Sequence, residues 1–397
     1  MVPGVLCGAG EGLFARGGVP MRRHNIAQRI FGLGVAVMLI VGLALGAGPS
    51  LAQGEPEITR MAAVPNFPGA ITFTLEASAG AAIIDIRLHY RVERDSYAKV
   101  VSEAKPVFAP AAQVVVSWTW DLRYIGGLPP GAAVEYWWTV RDVSGLSVTS
   151  TPETFIFTDT RFQWQQTVWD NLTVYWYSGG ESGAQVLLEA SLAGLAELEA
   201  KTGARLTRPV QIYVYASTEA MLGAMMFAQE WTGAATYTDH ATILIGLSSD
   251  WEWNERTMVH ELAHMISYQL TRGPYTRLPI WLSEGFSMYA EGELSLFPAS
   301  ELTSALNDGT TLTVHSLSGP FSADPARSYL SYAQSYSLVD YLAATYGQER
   351  LLALLAVFAG GADYDGALQE VYDFDMDGLY DRWLRYAMIK YVGMILA

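Results

Sequence analysis

The sequence predicts a multidomain fold: an N-terminal all-β sandwich followed by an α+β domain whose C-terminal part is mostly helical. Three observations carry this. Between residues 55 and 160, apolar residues recur with period two in short runs broken by glycine and proline turns. From 161 to 250, strand-like runs alternate with a helical one. Beyond 251 the apolar pattern is almost wholly helical.

Composition bounds the function. The chain has 397 residues, 24 basic and 40 acidic, with a formal net charge of −16 and 51% hydrophobic residues. That apolar share supports packed cores and argues against disorder. The acidity excludes the basic face of a nucleic-acid binder and gives no support to an anionic membrane surface. It does not identify a substrate.

Residues 1–52 form an upstream extension and a signal peptide, with the true start expected at Met21. Met21-Arg22-Arg23 and Arg29 make a basic start, Phe31 to Ala47 an apolar stretch, and Gly48-Pro49-Ser50-Leu51-Ala52 a helix break with small residues at −3 and −1. Cleavage after Ala52 is expected. The alternative is an uncleaved anchor, although 17 apolar residues at 1.5 Å rise cover only about 26 Å of a ~30 Å hydrocarbon core. A membrane partner is expected only in that case. Either way the body is exported, secreted or at the cell surface. Without this segment the chain keeps 20 basic and 39 acidic residues and no cysteine, because Cys7 leaves with it. Disulfides, thiolate nucleophiles and cysteine-based zinc sites are then excluded.

The β-sandwich is expected over 55–160. Ile84, Ile86, Leu88, Tyr90 and Val92 alternate with polar residues, as do Val134, Tyr136, Trp138 and Val140. Runs at 71–77, 113–120 and 154–158 read as further strands, with turns at Ala79-Gly80, Gly126-Gly127, Pro129-Pro130-Gly131 and Ser144-Gly145. The stretch Leu128 to Asp142 resembles the penultimate strand of fibronectin type III- or immunoglobulin-like modules, which would make Tyr136 a corner tyrosine. Exposed aromatics such as Trp137 either mark a ligand face or, the favoured reading, pack across strands.

The second domain, 161–397, divides into a mixed sheet (161–250), active-site helices (251–295) and a helical part (296–397). Runs at 172–177, 210–215 and 241–246 read as strands, and Gln185 to Lys201 as an amphipathic helix. His260-Glu261-Leu262-Ala263-His264 lies in a helical run, 251–270, free of proline and glycine. At 3.6 residues per turn the two imidazoles project from one face, one turn apart, so both reach one ion. Glu261 is rotated about 100° from His260 and stands beside that ion, where a general base belongs. A second helix starts near Pro279. Its Glu284, 20 residues after His264, returns to the same place and completes a His₂Glu site for one catalytic Zn²⁺.

HExxH followed by Trp281-Leu282-Ser283-Glu284-Gly285 resembles the gluzincin metallopeptidases, in wording the aminopeptidase N-like branch. The spacing equals thermolysin's, and the tail from Leu351 through Trp383 resembles peptidase MA-like domains. The resemblance covers about 165–390. It implies that His260, His264 and Glu284 hold Zn²⁺ and that Glu261 takes a proton from the zinc-bound water and passes it to the leaving amine. Tyr332-Ala-Gln-Ser-Tyr336 resembles that branch's tyrosine-bearing helix, which implies an oxyanion donor at Tyr332, with Tyr329 and Tyr336 as fallbacks. The branch's GxMEN motif, which grips a substrate N-terminus, is absent, so aminopeptidase activity is not supported, a secreted endopeptidase is as plausible, and specificity stays open. The run 241–246 is expected to be the edge strand that pairs with substrate. Glu291, seven residues past Glu284, orients a ligand histidine or is a solvated acid.

Remaining signals are weaker. Asp373 to Gly378 opens like a calcium loop, but Leu384 stands where its bidentate glutamate belongs, and a helix cap is the better reading. Asn171-Leu172-Thr173 is a glycosylation sequon. His315 reads as a loop residue, and His89 and His240 as sheet and loop residues. The first functional expectation is therefore an exported zinc metallopeptidase acting on peptides or proteins. The alternatives are an envelope binding protein with a vestigial peptidase domain, and a zinc hydrolase of a non-peptide substrate.

Overall fold

The computed structural model describes residues 4–7, 54–177, 181–229 and 232–393. The leader expected from the sequence, including the Ala52 cleavage site, lies outside the described residues apart from the short strand β1 (Gly4–Cys7). Among the described residues no helix is long and apolar enough to cross a membrane.

Seven strands build the N-terminal region: β2 (Glu57–Asn66), β3 (Ala70–Val92), β4 (Ser102–Ala104), β5 (Ala111–Asp121), β6 (Ala132–Asp142), β7 (Ser147–Thr149) and β8 (Glu153–Phe157). The sequence reads two strands across Ala79-Gly80; the structure has one strand of 23 residues whose register slips between Ser78 and Ile83 and again before Asp85. Its first half pairs with β2 and β5, its second with β4 and β6. Phe73 and Tyr90, 17 residues apart, would stand roughly 55 Å apart on a straight strand. Their ring centroids lie 6.0 Å apart. The strand therefore folds over at the slip, as bulged strands do, and its halves face each other across one core containing Phe73, Ile86, Val116, Tyr136 and Trp138.

The slip corrects one sequence expectation. Ile83 is fully buried and Ile84 is 44% exposed, because a one-residue shift exchanges the faces of a strand. Two aromatic expectations also resolve. Trp137 stacks on His89, its partner across β3 and β6, at 5.4 Å, so its ring serves packing. The Tyr136 hydroxyl donates to the Glu153 carboxylate at 2.8 Å, whereas a corner tyrosine donates to backbone; Glu153 sits directly opposite it on β8.

The second sheet contains β9 (Gln165–Trp169), β10 (Leu172–Trp176), β11 (Val210–Tyr215), β12 (Thr232–Tyr237) and β13 (Thr242–Gly246), in the order β1-β12-β13-β11-β10-β9. Strand β11 alternates: Ile212 and Val214 face α1 (Glu181–Thr202) and α3 (Trp251–Thr271), whereas Tyr213 and Tyr215 face an aromatic layer with Phe162, Trp164 and Tyr177. The edge-strand expectation for 241–246 is wrong: β13 pairs with both β12 and β11. All five of its residues are buried, which a continuous Thr-Ile-Leu-Ile-Gly run signals better than any edge. β12 takes the outer place, with β1 beyond it among the described residues.

Helix α3 packs between two cores. Met258, Leu262 and Met265 pack on the sheet, whereas Ala263 and Ile266 enter the helical core made with α4 (Ile280–Glu291), α7 (Pro325–Tyr346) and α8 (Gln348–Ala359). The remaining helices are α2 (Thr218–Leu222), α5 (Leu296–Asp308), α6 (Val314–Leu317), α9 (Tyr364–Tyr372) and α10 (Met376–Ala387). His315 lies on α6 rather than in a loop. Asp375 accepts the Gly378 amide at 2.8 Å and caps α10, as the capping reading of that segment expects.

The N-terminal region grips the far end of α3. Asp95 takes Arg208 and Arg272 at 2.5 Å each, and its carbonyl accepts the Tyr268 hydroxyl at 2.7 Å. Arg272 also stacks over Tyr97.

Candidate metal centre

Asp250 starts α3 by accepting the Trp253 amide at 3.1 Å, and Pro279 starts α4. The helices run antiparallel. His264 meets Ser283, His260 meets Glu291 and Arg256 meets Glu293, so contacts descend on α3 as they climb on α4. This brings His260, His264 and Glu284 together, each at most 3% exposed, with one potential ligand atom apiece within 4.8 Å of the others.

The spacing fits a metal. The two Nε2 atoms are 3.1 Å apart, and Glu284 Oε2 lies 3.4 Å and 3.5 Å from them. Ligand atoms about 2.0–2.1 Å from one tetrahedral zinc stand about 3.3 Å from each other. Among the described residues no hydrogen bond satisfies the buried Glu284 Oε2, and buried carboxylates are otherwise paired. The cluster therefore has the donor types, the separations and the missing partner that one such cation requires.

Electrostatics agree. Burial alone would push the His260 imidazole down, yet Glu284 and Glu291 beside it hold it well above its ordinary value. Burial alone would raise Glu284, yet His264 and His260 hold it well below the usual carboxylate range. The first shift marks a place that stabilises positive charge, and the second keeps Glu284 an anion there.

The histidine rings are oriented from behind. Glu291 Oε1 accepts from His260 Nδ1 at 2.6 Å, and Ser283 Oγ lies 3.2 Å from His264 Nδ1. Arg256 holds Glu291 in turn at 3.3 Å. Of the two readings of Glu291, the structure has the orienting contact. Outer-shell partners of this kind are worth about 10- to 100-fold in metal affinity. Glu291→Gln is expected to lose that much, measured by competition with a chromophoric chelator.

Glu261 is fully buried on the neighbouring face of α3. Thr236 on β12 donates to its Oε2, and its Oε1 has no hydrogen-bond partner among the described residues. Burial pushes this carboxyl up, against the pull of His260 and His264. Beside the cluster lies a cavity of about 310 Å³ lined by His260, Glu291, Trp253, Arg256, Tyr329 and Tyr332. Two of the three candidate tyrosines thus border the cavity, whereas Tyr336 is buried at 7% exposure and is not among the cavity's lining residues. Tyr332 also packs edge-on against Phe321 at 5.1 Å.

Gly285, next to Glu284, marks where α4 crosses α7. A Cβ there would overlap the Ser335 carbonyl oxygen. Overpacking of this kind costs about 1–3 kcal/mol. Gly285→Ala is therefore expected to lower the unfolding midpoint by about 2–10 °C in calorimetry.

Ser283, Thr236 and Arg256 escape the sequence reading. Ser283 and Arg256 had signals: one adjoins Glu284, and the other lies four residues before His260 on the same helix face. Thr236 had none, because only the fold brings β12 to α3.

A buried pair of histidines one turn apart and a carboxylate from the next helix form a group that could hold a metal ion, with a second carboxylate beside them. A family model, the Peptidase MA superfamily, matches residues 190–389, and the chain belongs to that superfamily. No curated protein sequence matches it. Among solved structures, Legionella pneumophila aminopeptidase A in complex with aspartic acid is similar over 79% of this chain and 47% of that one, at 12% identity and a TM-score of 0.37. OgpA from Akkermansia muciniphila is similar over 28% of this chain and 31% of that one, at 14% identity and a TM-score of 0.21. The chain thus spans about half the length of the aminopeptidase and under a third of OgpA.

Proposed function

We propose that this chain is an exported zinc metallopeptidase that hydrolyses peptide bonds, with His260, His264 and Glu284 as ligands and Glu261 as general base. The observation that carries the reading is the buried cluster of three potential ligand atoms, with a carboxylate oxygen beside it that has no partner among the described residues. When bound, zinc supplies Lewis-acid chemistry, polarising a carbonyl and making a water acidic near neutral pH.

The chain's own residues do the rest. Glu261 Oε1 accepts a proton from the attacking water and returns it to the leaving amine. Its carboxyl, raised by burial, is a stronger base than an exposed glutamate. Tyr332, or Tyr329 from the same wall of the cavity, donates to the developing oxyanion. Glu291 and Ser283 keep the imidazoles turned toward the ion. An extended substrate pairs with β12. On this reading residues 1–52, β1 included, leave the mature chain by cleavage after Ala52, and β12 then presents an open edge. Residues 55–160 are read as a fibronectin III- or immunoglobulin-like module that braces α3 through Asp95.

β12 carries no carboxylate between Thr232 and Tyr237, so none of its side chains offers a charged partner for a substrate amine. Paired peptides with free and acetylated N-termini test where the enzyme cuts. Equal cleavage marks an endopeptidase, and cleavage of the free form alone marks an aminopeptidase. If the zinc-loaded protein cleaves neither set nor any member of a peptide library, the proposed function is wrong.

A further inference from the structure

We infer that Thr236 is a positioning residue for Glu261, an inference that rests on the peptidase reading above. Thr236 is 5% exposed on β12, and its hydroxyl donates to Glu261 Oε2 while lying 3.4 Å from the Glu261 carbonyl oxygen. The terminal torsion of a glutamate is broad and roughly two-fold, so a carboxylate with neither oxygen held turns freely. A general base works only within about 2.6–3.2 Å of the proton it takes. Holding Oε2 leaves Oε1, buried and without a partner among the described residues, as the oxygen available to a reacting water.

The anchor suits this task. Threonine is β-branched and stiff at its first torsion. Its backbone is fixed by pairing with Ile243 on β13. β12 is also the strand on which an extended peptide pairs. On that reading one strand sets both the line of the substrate backbone and the orientation of the base.

The test compares zinc-loaded wild type with Thr236→Val and Thr236→Ser. Valine keeps the branched shape and the strand backbone but removes the hydroxyl; serine keeps the hydroxyl. Thr236→Val is expected to lose about 10- to 100-fold in kcat, the rate equivalent of one hydrogen bond to a charged group, with KM within about twofold. Zinc content is expected to be unchanged. Thr236→Ser is expected to stay within about threefold of wild type, since its hydroxyl can still donate. A wild-type kcat in Thr236→Val would overturn the assignment, and so would equal losses in both variants, which would indicate packing. Crystal structures of the zinc-loaded proteins give a readout independent of turnover. Wild type should keep the Thr236–Glu261 bond, and in Thr236→Val the carboxylate should turn or split into two conformers. A zinc-loaded wild type with Glu261 bonded elsewhere also overturns the inference. A wild type that cleaves no peptide sinks the peptidase reading instead, and the crystal structures then decide the Thr236 assignment alone.

Discussion

Glu261→Gln is expected to lower peptide cleavage by about 10²- to 10⁴-fold, the usual worth of a general base. Its metal content should equal that of wild type. Both halves follow from the geometry. Glu261 shares α3 with the two histidines, but its carboxylate is not one of the three groups whose ligand atoms converge. Glutamine keeps the volume and still takes the Thr236 hydroxyl on its amide oxygen, so the buried site stays packed. What it lacks is an ionised oxygen to accept a proton. Steady-state kinetics beside elemental analysis check the expectation. Loss of the metal together with activity would mean that Glu261 is a ligand rather than a base.

Glu284→Gln should show the opposite pattern, losing metal first and activity as a consequence. Removing a partner that merely orients a ligand costs about 10- to 100-fold in affinity, and a ligand itself should cost more than about 100-fold. The charge matters as well. Glu284 Oε2 sits within 3.5 Å of both imidazoles and is held well below the ordinary carboxylate range by them. A neutral amide there leaves the two histidines without their shared anion. Isothermal titration of the metal-stripped variant with zinc measures the loss. Wild-type affinity in Glu284→Gln would remove Glu284 from the ligand set.

The local parts of this site are legible in the sequence. The i, i+4 histidines and the carboxylate beside them follow from helical periodicity, and the helix-starting Pro279 places Glu284 on the next helix. Glu291 is legible too, because seven residues from Glu284 bring it back to nearly the same helix face. Long-range placement is not legible. Thr236 lies on Thr-Gly-Ala-Ala-Thr-Tyr, whose small residues give little strand signal, and its meeting with Glu261 depends on how α3 packs against the sheet.

The same limit explains the errors. The run 241–246 reads as a strand from its apolar residues, but which strands flank it is a matter of topology. An edge was expected because β12, the true outer neighbour, gave so weak a signal. In the N-terminal region, alternation marks both halves of β3 but not that one chain segment serves two layers. Ala79-Gly80 reads as a turn, whereas it falls inside a register slip of one continuous strand. Ile84 then falls on the wrong face, since one extra residue reverses every side chain after it.

The most direct test is peptide cleavage by the wild-type protein before and after metal removal. Chelator-stripped protein should cleave no member of a peptide library, and addition of one zinc per chain should restore cleavage in full. Cleavage undiminished in the stripped protein, or none in the zinc-loaded protein, would contradict the account.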